Sequence, residues 1–477
     1  MEGSFTIARG NNGTKDNPIR LIADPEAKTR PVIDFQKLFS GLTLGGDYWY
    51  FYGFDITGSS NGQKGLQVSG NYNVLDQIHA YENGNTGIQI SRLSGSDLYE
   101  DWPSHNLILN CTSYNNFDSG FEDADGFAAK LTVGDGNVFD GCVAYNNADD
   151  GWDLYAKVET GPIGSVTIRN CISYNNGYVS IPGYEGKTGN GNGFKMGGES
   201  ISGKHVLENS IAFNNLAKGI DSNSCPDIIV INSISFNNGS HNVALYTNNA
   251  LDTDFSANGI ISFRTEGLDV AENLKGKGTQ DTAKYKNAST YYWTSGKCIN
   301  TLGEEITADM FESLEFTGWT RNADGTINLG GFLKIKNNVP ANAKDCVLGG
   351  QPSYDRTLVE DEECSFGRAW FNLNSAGHWH VCECGNKTSV EEHTLIVIID
   401  KQPEGDTPGQ KHEYCTTCGY EGTRIPVYPE TSVTPEPEPE QLGFFEMIWK
   451  AILDFLRAIF PFFFPAEEAF IPNHRIW

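Results

Sequence analysis

The stretch VAYNNADDGWDL (143–154) carries two signals side by side: a short polar phrase ending at Asn147, and three carboxylates, Asp149, Asp150 and Asp153, within five positions. The phrase is one of six. HAYEN (79–83), TSYNN (112–116), VAYNN (143–147), ISYNN (172–176), IAFNN (211–215) and ISFNN (234–238) recur, typically just after an apolar strand-like run such as NLILNC, SVTIRNC or DIIVINS. The closing residues Asn83, Asn116, Asn147, Asn176, Asn215 and Asn238 are 33, 31, 29, 39 and 23 positions apart. A propeller wants steadier blades, and leucine-rich repeats want their own Leu/Asn pattern. A fixed phrase at variable spacing predicts an all-β chain wound as a right-handed parallel β-helix, whose coils absorb insertions at their turns.

Equivalent residues of successive coils then stack about 5 Å apart, the spacing between paired strands. The six asparagines become an internal ladder in which side-chain amides satisfy one another and the backbone at a buried turn. Their reading is structural. Cys111, Cys142 and Cys171 share another column, continued by Ser210 and Ser233, and small buried side chains account for them better than chemistry does.

A second phrase follows each ladder position: TGIQI (86–90), DGFAA (125–129), DGWDL (150–154), NGFKM (192–196) and KGIDS (218–222). Aligned on glycine, each reads as a turn entering a strand with period-two alternation. Ile88, Phe127, Trp152, Phe194 and Ile220 point inward. The outward column reads Gln89, Ala128, Asp153, Lys195, Asp221, and the column before the glycine reads Asp125, Asp150, Asn192, Lys218. Alternation is expected to drive the acidic residues to the surface, so Asp125, Asp149, Asp150 and Asp153 share one outer patch. Their repulsion raises pKa values unless a cation intervenes. A hard divalent ion with oxygen ligands, Ca²⁺, removes the conflict. The plainer readings stand beside this one. Asp-Gly is a common turn dipeptide, and Asp153 with Lys195 alone makes an exposed ion pair of little consequence.

The formal charge of −27 across 477 residues, from 61 acidic against 34 basic side chains, excludes nucleic-acid or anionic-membrane binding through a basic surface. No apolar run is long and charge-free enough to span a bilayer. The start, MEGSFTIARGNNGT, carries no export signal and already reads as strand and turn, so an upstream signal and first turn are expected. The β-helix domain is assigned to residues 1–350, a Cys/His-rich module to 351–427, a stiff Pro/Glu linker to 428–442 and an amphipathic helical tail to 443–477. In the module, HWHVCECG and KHEYCTTCG suggest a zinc site through Cys382, Cys384, Cys415 and Cys418, with His378 or His412 as alternates. Two disulfides in an exported protein are the rival. Glu446, Lys450, Asp454 and Arg457 form one polar stripe on GFFEMIWKAILDFLRAIFPFFFP (443–465), suiting a helix that contacts a membrane surface or a partner protein.

The motifs DADGF (123–127), NADDGWDL (147–154) and GNGNGFKMGG (189–198) resemble polysaccharide lyase family 9, the β-helical pectate lyases and their rhamnogalacturonan-cleaving relatives. NPIRLIADPEAKTRPVIDF (17–35) and RNADGTINLGGFLKI (321–335) are similar as well, so the resemblance runs over roughly residues 4–350. It implies Asp125, Asp149, Asp150 and Asp153 as calcium ligands and Lys195 as catalytic base. It also implies a secreted or cell-surface enzyme, expected as a monomer, acting on an acidic plant cell-wall polysaccharide, pectin. The implied reaction is β-elimination at a uronic acid: the C5 proton leaves and the C4–O4 bond breaks. Activity that rises on the alkaline side follows from a lysine base. The loops 91–103 and 177–188 depart from the family pattern and bear on substrate choice. Two other readings remain: a non-catalytic glycan-binding or adhesin β-helix, and a metal-free hydrolase working with paired carboxylates.

Overall fold

In the computed structural model, residues 3–428 are described except 25, 179–185, 249–251, 266–268, 351–365, 375–376, 383–390, 406 and 419, with backbone alone for 366–382. The chain divides into two units, Met1–Arg356 and Thr357–Trp477. Among the described residues there is no α-helix, only three short 3-10 turns.

The first unit is a parallel β-helix of three sheets. One has ten strands, from Phe5–Ile7 to Asn273–Lys275; the second has nine, from Ile19–Ile22 to Ser256–Asn258. The third has twelve, from Val32–Asp34 to Glu305–Ile306, and closes with antiparallel pairings at its C-terminal end. Each coil lays down one short strand per sheet, so every parallel neighbour comes from the next coil rather than from the next strand in sequence.

The repeated phrase makes the bend between the third and first sheets. Its penultimate residue is left-handed in every coil: φ is 53° at Glu82, 54° at Asn115, Asn146 and Asn175, 53° at Asn214 and 49° at Asn237. Asparagine accepts that conformation more readily than most side chains, which explains the first Asn of each NN pair. The second Asn turns inward. Asn83 Nδ2 donates to Asn116 Oδ1 at 3.1 Å, and the series continues through Asn147 (2.9 Å), Asn176 (3.0 Å), Asn215 (2.9 Å) and Asn238 (2.9 Å). Each Oδ1 also accepts the backbone N–H of the preceding ladder residue. The glycine of the second phrase is required by this ladder: a Cβ at Gly126 would meet Asn147 Nδ2 at 2.7 Å, and one at Gly151 would meet Asn176 Nδ2 at 2.9 Å.

The ladder runs one step further than the phrase. Asn238 Nδ2 donates to Asn242 Oδ1 at 3.1 Å. A second amide ladder, Asn73, Asn106 and Asn137, occupies another turn. The Cys/Ser column is a buried file of the expected kind, with the Cys142 N–H on Cys171 Sγ at 3.3 Å and the Cys171 N–H on Ser210 Oγ at 3.1 Å. Burial pushes the Cys111 and Cys142 thiols far up, which suits inert packing.

Inside the coils, Phe127, Trp152 and Phe194 are fully buried and stacked 4.7 and 4.9 Å apart. Outside the third sheet, Tyr114, Tyr145 and Tyr174 stack at 4.9 and 5.0 Å. Phe311, Ile327 and Phe332 cover the next rungs of that face. Arg321 fastens this cover by donating to the carbonyls of Gly141 (2.9 Å) and Cys111 (3.0 Å).

In the second unit, Phe366–Asn374 pairs with Gly377–Cys382, and Leu395–Lys401, Gly409–Cys415 and Ile425–Val427 form a separate antiparallel sheet. The side chains of His378 and Cys382, all of Cys384, linker residues 429–442 and the predicted helix 443–465 lie outside the described residues.

Candidate active site

The first sheet aligns the predicted columns in register. Gln89, Ala128, Asp153, Lys195 and Asp221 are successive partners across strands Ile88–Ile90, Phe127–Ala129, Trp152–Asp153, Phe194–Lys195 and Ile220–Asp221. Trp152 and its stacked neighbours point into the core, so Asp153 and Lys195 point outward. The column before the glycine is held by hydrogen bonds running from rung to rung. The Asp150 N–H lies 3.4 Å from Asp125 Oδ1, and Asn192 donates to Asp150 Oδ1 through its backbone N–H (2.7 Å) and its amide (2.8 Å).

One expectation is corrected here. Alternation was expected to leave the carboxylates at the surface, yet Asp125, Asp149 and Asp150 are 0% exposed and Asp153 is 3% exposed. They face outward from the core but lie at the bottom of a wall roofed by neighbouring side chains. Lys195 and Lys130 reach over them, and Tyr155 lies beside the Lys195 ammonium, 5.6 Å from Nζ to the ring centroid. An exposed, weak Asp153–Lys195 pair is therefore not what the chain builds.

The cage is dense. Lys195 Nζ sits 3.0 Å from Asp150 Oδ2 and 3.5 Å from Asp153 Oδ2. Lys130 Nζ bridges Asp125 Oδ2 (2.7 Å) and Asp153 Oδ2 (3.0 Å). Lys130 was missed in the sequence. It continues the outward parity of Ala128 two residues on, but its partners lie back along the strand and on the next rung, which alternation does not report. Asp149 stands slightly apart. Its Oδ1 accepts the Asn190 N–H at 3.2 Å, whereas Oδ2 is buried without a hydrogen-bond donor.

Electrostatics follow from burial and crowding. Desolvation, then the charges of Asp150 and Asp125, push Asp149 up to about 10. Desolvation also lifts Asp125, to about 7, although Lys130 opposes it. At Asp153 burial is outweighed by Lys130 and Lys195, and its carboxyl is held below the usual range. Burial alone would lower Lys195, but Asp150 and Asp153, with Asp125 and Asp149 behind them, raise it well above its ordinary value. Lys195 is thus an ammonium as long as the carboxylates stay unneutralised.

The donor set fits a hard cation. Carboxylate oxygens of Asp125, Asp150 and Asp153 all lie within 4.8 Å of one another. Two oxygens on opposite sides of a calcium ion are about 5 Å apart, since each bond is about 2.3–2.6 Å. Asp149, the fourth predicted ligand, lies outside that cluster, and its Oδ2 is a buried acceptor without a donor. Burial and crowding disfavour the ionised forms of Asp149 and Asp125, and a divalent cation would favour them. One rung further, Lys218 Nζ pairs with Asp221 Oδ2 at 2.7 Å, so that step carries its own neutralised pair.

Of the predicted zinc set, Cys415 and Cys418 are described, and they lie with His393, which the sequence reading did not include. His412, one of the predicted alternates, is engaged elsewhere: its Nδ1 meets Asp400 Oδ2 at 2.8 Å.

Residues 2–257 match the family model described as Pel9A-like, right handed beta helix region. A protein named pectate lyase L from Thermoclostridium stercorarium is 45% identical over 312 residues, 65% of this chain, although the chain spans only 24% of that relative. Pectate lyase L of Paenibacillus polymyxa (strain SC2) is 41% identical over 358 residues, covering 73% of this chain and 74% of its own length. The crystal structure of pectate lyase Pel9A superposes with a TM-score of 0.57 at 26% identity, covering 73% of this chain and 84% of that one.

Proposed function

The chain belongs to the Pel9A-like right-handed β-helix family, polysaccharide lyase family 9, and on that premise we propose that it is a calcium-dependent lyase cleaving pectic polymers by β-elimination. The observation carrying this reading is the juxtaposition of the buried carboxylates of Asp125, Asp150 and Asp153 with a lysine on the next rung, Lys195 Nζ 3.0 Å from Asp150. Neither an adhesin nor a hydrolase needs that ammonium in register with the acids.

Asp125, Asp149, Asp150 and Asp153 would hold the ion. When bound, Ca²⁺ supplies charge withdrawal from the substrate's C6 carboxylate and bridges a negatively charged protein to a polyanion. The remaining steps belong to the chain's own residues. Lys195, as a free amine, would take the C5 proton, α to the carboxylate; the electron pair forms the C4–C5 double bond, the C4–O4 bond breaks, and O4 takes up a proton from water. Tyr155 restricts the side chain to the wall, and Lys130 holds Asp125 and Asp153 in place. The enzyme is read as exported and monomeric, with polygalacturonate as its backbone. Rhamnogalacturonan is the second reading, because the departing loops 91–103 and 177–188 flank the site in sequence.

Incubation with polygalacturonate or rhamnogalacturonan, with and without chelator, tests the proposal. Chelator-sensitive ultraviolet absorbance from the new double bond is expected on one of them. New reducing ends without absorbance would mean hydrolysis, and neither signal would leave a binding protein.

A further inference from the structure

The second unit contains a cluster that the lyase reading does not use. In the sheet of Leu395–Lys401, Gly409–Cys415 and Ile425–Val427, Leu395 is the register partner of Cys415. Antiparallel pairing carried two residues past that point sets His393 opposite the Cys415–Cys418 turn. Two backbone bonds pin the arrangement: the Thr416 N–H to the Thr394 carbonyl (3.2 Å), and the Cys415 N–H to the Tyr420 carbonyl (2.9 Å). His393 stacks on Tyr420 with centroids 4.6 Å apart and planes 13° from parallel, and its Nδ1 lies 3.4 Å from Cys418 Sγ. Ligand atoms of His393, Cys415 and Cys418 all fall within 4.8 Å of one another. The backbone N–H groups of Cys418 and Thr417 both point at Cys415 Sγ, the pattern of a turn built around a thiolate.

A second observation says why this sheet needs such a cluster. Leu395, Ile396, Val397, Ile399 and Ile425 are all more than 40% exposed. Among the described side chains of 391–428, only His412 and Cys415 are buried. A three-stranded sheet that buries so little apolar surface lacks the usual source of stability, and small scaffolds of this kind are held by a metal or by disulfides. We propose that His393, Cys415 and Cys418 supply three of the four ligands of a zinc ion that holds this sheet together. One imidazole and two thiolates are donors that suit zinc over the calcium favoured by the oxygen cage in the first unit. The assignment is independent of the lyase reading.

The test uses the full chain purified under reducing conditions. Bound zinc is measured by elemental analysis after dialysis against a weak chelator, and cobalt is substituted to read tetrahedral thiolate coordination in the visible spectrum. One zinc per chain is expected, with Cys418→Ser and His393→Ala losing it and His393→Cys restoring it. Chelation should make residues 391–428 sensitive to protease while the β-helix keeps its melting transition. Zinc content unmoved by His393→Ala would overturn the proposal. So would a metal-free chain under reducing conditions, or alkylation mapping that finds Cys415 and Cys418 in disulfides.

Discussion

The asparagine ladder and the acidic wall are both files of stacked, buried polar side chains in the same coils, one turn apart, yet they behave in opposite ways. An amide donates and accepts, so each rung satisfies the next, and Asn116, Asn147 and Asn176 close every bond at about the same length. A carboxylate only accepts. Stacking Asp125 against Asp150 therefore stores repulsion, which Lys130 and Lys195 relieve in part. Repetition along a β-helix stabilises when the repeated group is self-complementary. When it is not, the same geometry builds a site.

The largest effect should come from removing the lysine that the wall holds. Lys195→Gln is expected to lower turnover by ~10²–10⁴-fold, measured by product absorbance, with circular dichroism and calcium binding retained. A near-normal rate would take Lys195 out of the chemistry and leave the wall as a binding surface.

Next comes a swap that makes the wall more like the ladder. Asp149→Asn replaces the carboxylate whose Oδ2 has no donor. Its calcium requirement should rise ~10–100-fold, whereas its melting temperature without calcium should not fall. An unchanged calcium requirement would place Asp149 outside the ligand set.

The reverse swap makes the ladder more like the wall. Asn147→Asp sets two acceptors face to face at Asn176 and should cost about 1–3 kcal/mol in a denaturant titration, with calcium affinity unmoved. If the variant is as stable as the parent, the amides are not holding the turn. The smallest effect is expected at Lys130→Met. It should weaken the order of Asp125 and Asp153 and shift calcium dependence by less than Asp149→Asn does, because an ammonium is removed and every ligand oxygen stays. A shift larger than that of Asp149→Asn would give Lys130 a direct part in the reaction.

Much of this was readable from the chain because both periods are local. The six-fold phrase announces the coil, and period-two alternation after each glycine sorts Trp152 from Asp153 without any coordinates. The second ladder, Asn73, Asn106 and Asn137, opens a phrase of its own, NVLD (73–76), NLIL (106–109) and NVFD (137–140), but its apolar residues read as ordinary strand and hide the asparagine. Asn242 escaped because it follows Asn238 by four residues instead of by a coil.

By itself the sequence determined the winding of the chain, the inward and outward columns, and the coincidence of Asp125, Asp150, Asp153 and Lys195 on one wall, since a strand's two faces and a coil's repeat are properties of nearest neighbours. Only the tertiary structure decided that the wall is buried, that Lys130 closes it, and that His393 rather than His412 faces the cysteines. Those outcomes rest on how long side chains and antiparallel partners from distant positions meet in space, and no spacing along the chain encodes that.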